Sequence, residues 1–179
     1  MHENVSMICL SRGDHGGLRI CPRWPSSKVL VSPAALEKLL RVQTELPREI
    51  GLIVTRGFEP HATGLGRSRT FFRMVGIVLF RFVYADRRNE IEEIFGANGH
   101  DLDGTHVDVS LAVDGNRIRL LPLGVFTPVA WQRRLAGKHL TSIARVKEAL
   151  VRNGFRIHRN ETESRQIHCD LVGTGKTLA

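Results

Sequence analysis

Aromatic residues are scarce in this chain. Eight Phe, two Trp and one Tyr make up 6% of its 179 residues. A domain that grips nucleic acid is expected to interleave aromatics with a clustered basic stripe, so that class of partner is disfavoured. Cysteine is scarcer still. Cys9, Cys21 and Cys169 lie apart and no two form a CxxC pair. No disulfide framework is indicated, and a reducing compartment fits best. Long apolar runs are missing as well. The most apolar stretch, "MVGIVLFRFVYA" (74–85), is interrupted by Arg81 and falls short of the ~20 residues that span a bilayer. The N-terminal "MHENVSMICLSRGDHGG" lacks the apolar run of a signal peptide. The expectation is a cytoplasmic protein without a membrane span, reaching a cell wall only by another route.

What is present is basic and globular. Hydrophobic residues make up 42% and charged residues 25%, which excludes a disordered or fibrous chain. The net charge is +8, which suits a polyanion such as nucleic acid, an anionic cell wall or a membrane surface. The cations are spread out, with the densest groups at Arg67/Arg69/Arg73, Arg87/Arg88 and Arg133/Arg134/Lys138. A solvated basic surface is the plainer reading of such a pattern.

Length and patterning predict a flexible N-terminal arm over 1–22, one domain over 23–172 and a flexible tail over 173–179. In the tail, "GTGKT" (173–177) imitates the end of a phosphate-binding loop. Asp170 stands where its first Gly is needed. Within the domain, Ser32, Pro33 and the spacing of Leu36, Leu39 and Leu40 predict a helix over 32–46. "EIGLIVTRGF" (49–58) reads as a buried strand, and the Gly-rich 61–70 as a loop. Residues 71–95 read as mostly helical. "THVDVSLAV" (105–113) alternates as a strand does, turns at "DGN" and is answered by "RIRLLPL" (117–123), a hairpin signal. A helix over 140–155, ended by Asn153-Gly154, precedes a last strand over 166–172. The class is α+β, a small, mainly antiparallel sheet packed with helices.

The stretch "NGHDLDGTHVDVSL" (98–111) carries the densest group of potential metal ligands. His106 and Asp108 are two apart on a predicted strand, so they share a face. His100 lies in the preceding loop and can fold back over that face. In "RQIHCDL", Ile167 and Cys169 point one way and His168 the other. A catalytic zinc needs about three protein ligands and one open position. Two strands of one sheet can supply His and Asp from one segment and His168 from another.

The order of these features resembles the zinc D-Ala-D-Ala metallopeptidases, which include dipeptidases, carboxypeptidases and some phage endolysins. Their first motif is similar to S-x-H-x-x-G-x-A-x-D followed by a strand, and their second is E-x-x-H on a partner strand. Here Gly104 and Asp108 match the first motif, "VDVSL" the strand after it, and "RVKEALVRNGF" with "QIHCDL" the helix and strand of the second. "GLIVTRGFEP" resembles the upstream strand and turn. The likeness covers about residues 30–172 and implies a hedgehog-like α+β fold and Zn2+-dependent peptide hydrolysis. It departs in detail. Asp101 occupies the family's His position with His100 beside it, His106 replaces a small Ala, and Arg165 stands where the second motif has Glu.

The resemblance implies His100, Asp108 and His168 as metal ligands. His106 is the alternative first ligand, or else a group behind it or lining the pocket. It implies Glu163, with Glu161 as alternative, as the catalytic base, and Arg56 as the partner of a developing oxyanion. The implied substrate is a peptidoglycan-derived peptide containing D-Ala. A zinc-containing binding module that has lost its base is the competing reading, since one fold hosts both kinds of function.

Overall fold

The computed structural model describes residues 6–24, 26–58, 65–85, 88, 91, 104–157 and 167–172, with backbone alone over 65–70 and at 72. The mixed architecture expected from the sequence is present. A seven-stranded sheet has the order β2-β3-β5-β6-β9-β8, with β7 paired to β6. A separate two-stranded sheet pairs β1 with β4. The strands are β1 (Ile8–Ser11), β2 (Gly13–His15), β3 (Leu18–Ile20), β4 (Lys28–Val31), β5 (Ile50–Arg56), β6 (His106–Val113), β7 (Asn116–Arg117), β8 (Phe155–Ile157) and β9 (His168–Leu171). Only β3 and β5 run parallel; the other pairs are antiparallel. The helices among the described residues are α1 (Pro33–Glu45), α2 (Leu65–Val83), α3 (Val129–Gly137) and α4 (Leu140–Arg152).

Local chemistry explains the framework around the site. Ser32 Oγ accepts the Ala35 N–H at 3.2 Å and Pro33 opens α1, satisfying one orphan donor of the first turn. Ala35, Leu39 and Val42 form its buried stripe. In α4, Ile143, Val146, Ala149 and Leu150 do the same. Both stripes join Leu52, Val54, Val107, Val109 and Leu111 of β5 and β6 in one core. Parallel pairing with β3 reaches only Ile53 and Val54 of β5. Gln43 of α1 takes over further along: its amide donates to Ile50 O at 3.3 Å and accepts from Leu52 N at 2.6 Å. Buried backbone groups therefore find partners where the ladder is short.

Several sequence expectations need correction. Residues 8–20 are not a loose arm but form β1 to β3, and Leu10, Leu18 and Ile20 are buried. The strands are too short for alternation to reveal them, and the turn at Gly16-Gly17, both at positive φ, looks like loop composition. Helix α2 begins at Leu65, inside the stretch expected to be a loop. The hairpin turn forms as expected, with Asp114 at φ 51° and Gly115 at φ 77°, but its second strand is only Asn116–Arg117. Pro122 cannot donate to a ladder, and a 3-10 turn takes Gly124–Phe126. Strands β4 and β8 and helix α3 are not among the elements expected from the sequence.

Candidate metal centre

The register of β6 against β9 builds the centre. His106 faces Asp170, Val107 faces Cys169 and Asp108 faces His168. Alternation sends Val107 and Cys169 into the core, both fully buried. It leaves His106, Asp108, His168 and Asp170 as a two-by-two array on the opposite face. One potential ligand atom from each of His106, Asp108 and His168 lies within 4.8 Å of the others. Among the described residues, this group can hold a metal ion.

The contacts fit that role. Asp108 is 3% exposed. Its Oδ1 lies 2.5 Å from His168 Nδ1 and 3.3 Å from His106 Nε2. Oδ1 is buried and makes no regular hydrogen bond, with an imidazole nitrogen of each histidine crowded against it. Three potential ligand atoms converging on one point suit a shared cation. On its far side, His106 Nδ1 is 2.8 Å from Asp170 Oδ1. An ionised carboxylate only accepts, so Nδ1 carries the hydrogen, and Nε2, which faces Asp108, is the nitrogen that can ligate when it carries no proton. Metal-binding histidines usually have such a carboxylate behind them. Asp170 Oδ2 in turn accepts from Arg156 at 3.2 Å.

Electrostatics favour a charged Asp108. Burial alone would push its carboxyl up. The opposing charge of His168, the close His106 and the more distant Arg56 outweigh burial and hold it well below the ordinary carboxylate range. Burial first, then Asp108 and Asp170, pushes the Cys169 thiol up. It stays a small apolar filler behind the centre, 3.6 Å from Val107 O.

Strand β5 brings Arg56 opposite Asp108 through an irregularity between Val54 and Arg56. Thr55 Oγ1 donates to Asp108 O at 3.1 Å. The residue after Arg56 must be Gly: a Cβ on Gly57 would lie 2.1 Å from Leu30 O. Beside Asp108 opens a cleft of about 240 Å³, lined by Arg23, Thr55, Ser110, Arg117 and Arg119 among others. Burial, then Arg56, lowers the pKa of Arg23, while Asp108 opposes the shift. The cleft is positively charged and runs up to the ligand group.

Of the residues expected from the sequence, the fold brings Asp108 and His168 together and places Arg56 beside Asp108. His100, Glu163 and Glu161 lie outside the described residues. His106, weighed as the alternative first ligand, stands in the centre. Asp170 was missed, although its spacing from His168 put it on the same face. Arg23 and Arg117 were also missed. Arg117 follows the Asp-Gly turn that folds it back along β6, whereas no local signal pointed to Arg23. No protein-family model matches the chain, and no curated protein is significantly similar to it.

Proposed function

We propose that this chain is a zinc-dependent peptidase acting on D-Ala-containing peptides derived from the cell wall. The observation that carries the reading is the convergence of His106, Asp108 and His168, with Asp170 behind His106. Two imidazoles and a carboxylate are a donor set suited to zinc, and three protein ligands leave a position open. On this reading His106 takes the first-ligand place that the family pattern gives to His100. Zinc in such a site supplies Lewis acidity and acidifies water to near neutrality. Asp170 holds the proton on His106 Nδ1, keeping Nε2 available. Glu163 accepts the proton of the attacking water and returns it to the leaving amine. Arg56 lends positive charge to the developing oxyanion. The arginines of the adjacent cleft suit a peptide ending in a carboxylate.

A second reading has a specific observation in its favour. Arg165 stands where the second motif it resembles has its Glu, which favours a zinc-containing binding module without hydrolysis. One experiment separates the two: metal analysis and D-alanine release from D-Ala-D-Ala peptides, on wild type, His168→Ala and Glu163→Gln. The peptidase reading expects one zinc per chain, lost with His168→Ala but kept with Glu163→Gln, and hydrolysis lost in both. Zinc without hydrolysis in the wild type leaves the binding module. A chain that takes up no zinc refutes both.

A further inference from the structure

Helix α2 is amphipathic in an unusual sense. It is anchored by one edge and turns a broad apolar face to solvent. The anchor is Phe80, fully buried, with Tyr84 one turn on. Their rings lie 5.1 Å apart, Phe80 packs on Phe126 at 6.1 Å, and Tyr84 Oη donates to Phe126 O at 2.8 Å. At about 100° per residue, Met74, Val75, Val78, Leu79, Phe82 and Val83 fall on an arc of about 180° centred opposite Phe80 and Tyr84. All six are exposed, Val78 at 65% and Phe82 at 88%. Single exposed apolar residues need no explanation, but a contiguous face does.

Charge decides between the candidate occupants. Residues 65–85 contain Arg67, Arg69, Arg73 and Arg81 and no acidic residue. Arg73 and Arg81 are exposed, and Arg81 borders the apolar arc. A second copy of this face would bring arginines against arginines in a chain already at +8. An anionic lipid surface instead offers hydrocarbon to the arc and negative headgroups to the guanidiniums. No helix among the described residues is long and apolar enough to cross a membrane, which agrees with a helix that lies on a bilayer rather than through it. We propose that α2 docks the protein on anionic membrane surfaces, with Val78 and Phe82 entering the acyl boundary and Arg81 reaching the headgroups. This does not depend on the metal centre.

The test is co-sedimentation of the full-length protein with vesicles of phosphatidylcholine alone and of phosphatidylcholine with 30 mol% phosphatidylglycerol, over a salt series. Sedimentation with the mixed vesicles is expected, weaker with the neutral ones and falling with salt. Val78→Asp/Phe82→Asp is expected to weaken binding more than tenfold. Arg81→Gln is expected to weaken it about fivefold, the usual contribution of one cation near an anionic surface. The altered side chains are exposed, and an unchanged far-UV circular dichroism spectrum confirms that the variants fold. No sedimentation with mixed vesicles overturns the proposal, as does binding that Val78→Asp/Phe82→Asp leaves intact. So does a dimer in sedimentation equilibrium that the same double variant dissociates, which would give the face to a second copy.

Discussion

Replacing Asp170 by Asn is the most informative single change at the centre. Asn keeps the size and an acceptor oxygen but removes the charge that holds the His106 Nδ1 hydrogen at 2.8 Å. The pair is largely sheltered, with side-chain exposures of 16% for His106 and 13% for Asp170, so solvent screens it little. Partners of this kind contribute about 10- to 100-fold to metal affinity, or about 1.4–2.7 kcal/mol. Asp170→Asn should weaken zinc binding by that factor in a competition titration against a chromogenic chelator. Arg156 touches the other oxygen of Asp170, but its side chain is 70% exposed. Exposed pairs contribute about 0–1 kcal/mol, so Arg156→Ala should change affinity by about fivefold at most. His168→Ala should abolish binding. Unchanged affinity in a folded Asp170→Asn protein, with His168→Ala still losing the metal, would refute His106 as a ligand. The first-ligand role would then return to His100.

Three further outcomes follow from the same structure. Zinc at 100 times its dissociation constant should stabilise the fold by about 2.7 kcal/mol. At about 2–4 °C per kcal/mol for a chain of this size, the thermal midpoint should rise by about 5–11 °C, and the rise should vanish in His168→Ala. Glu45, at the end of α1, accepts from Asn153 at 2.9 Å and Arg152 at 3.3 Å, and the Asn153 bond first of all lowers its pKa below the ordinary value. A depressed carboxylate stabilises above its unfolded-state pKa and loses that contribution as pH falls through the folded one. The difference in urea midpoint between wild type and Glu45→Gln should therefore be present at pH 7 and shrink below pH 4. Gly57→Ala forces a Cβ to within 2.1 Å of Leu30 O, where backbone must move. Urea denaturation should show a loss of about 1–3 kcal/mol, as overpacking usually causes.

The parts of the centre that were legible in the sequence are those set by period. His106 and Asp108 share a face because two residues of strand return to the same side, and His168 opposes Cys169 for the same reason. That β6 and β9 are neighbours follows from no local pattern; the ligand types they carry only suggested it. Their register, which puts Asp108 against His168, depends on pairing across 60 residues that no local pattern encodes. Asp170 lies two residues beyond His168, so the same period puts it on that face. Strands β1 to β3 escape such a reading because three or four residues are too few for alternation to show. Ile167 is a different case. It sits at φ 52° while fully buried, a conformation that opposes the preference of a β-branched residue. Its tertiary surroundings hold it there, just before His168, and no propensity predicts it.

The burial of Asp108 bears on what the centre is for. A carboxylate removed from water costs several kcal/mol unless positive charge meets it. A metal-free cluster would draw that charge from protons on the imidazoles. His106 already commits its Nδ1 hydrogen to Asp170, so charging it needs a second proton at Nε2. A proton on His168 would meet the charge directly, with Nδ1 at 2.5 Å from Asp108 Oδ1. A divalent cation supplies positive charge at the same point and leaves the rings neutral. The alternatives differ in protons: if imidazolium protons balance Asp108 in the apo protein, zinc must displace them. Calorimetric titration in buffers of different ionisation enthalpy counts the protons released. Release of protons on zinc binding is expected if the histidines exchange protons for metal. Zinc binding with no proton release would mean that the charge on Asp108 is met some other way, with Arg56 and Arg23 the cations that act on it.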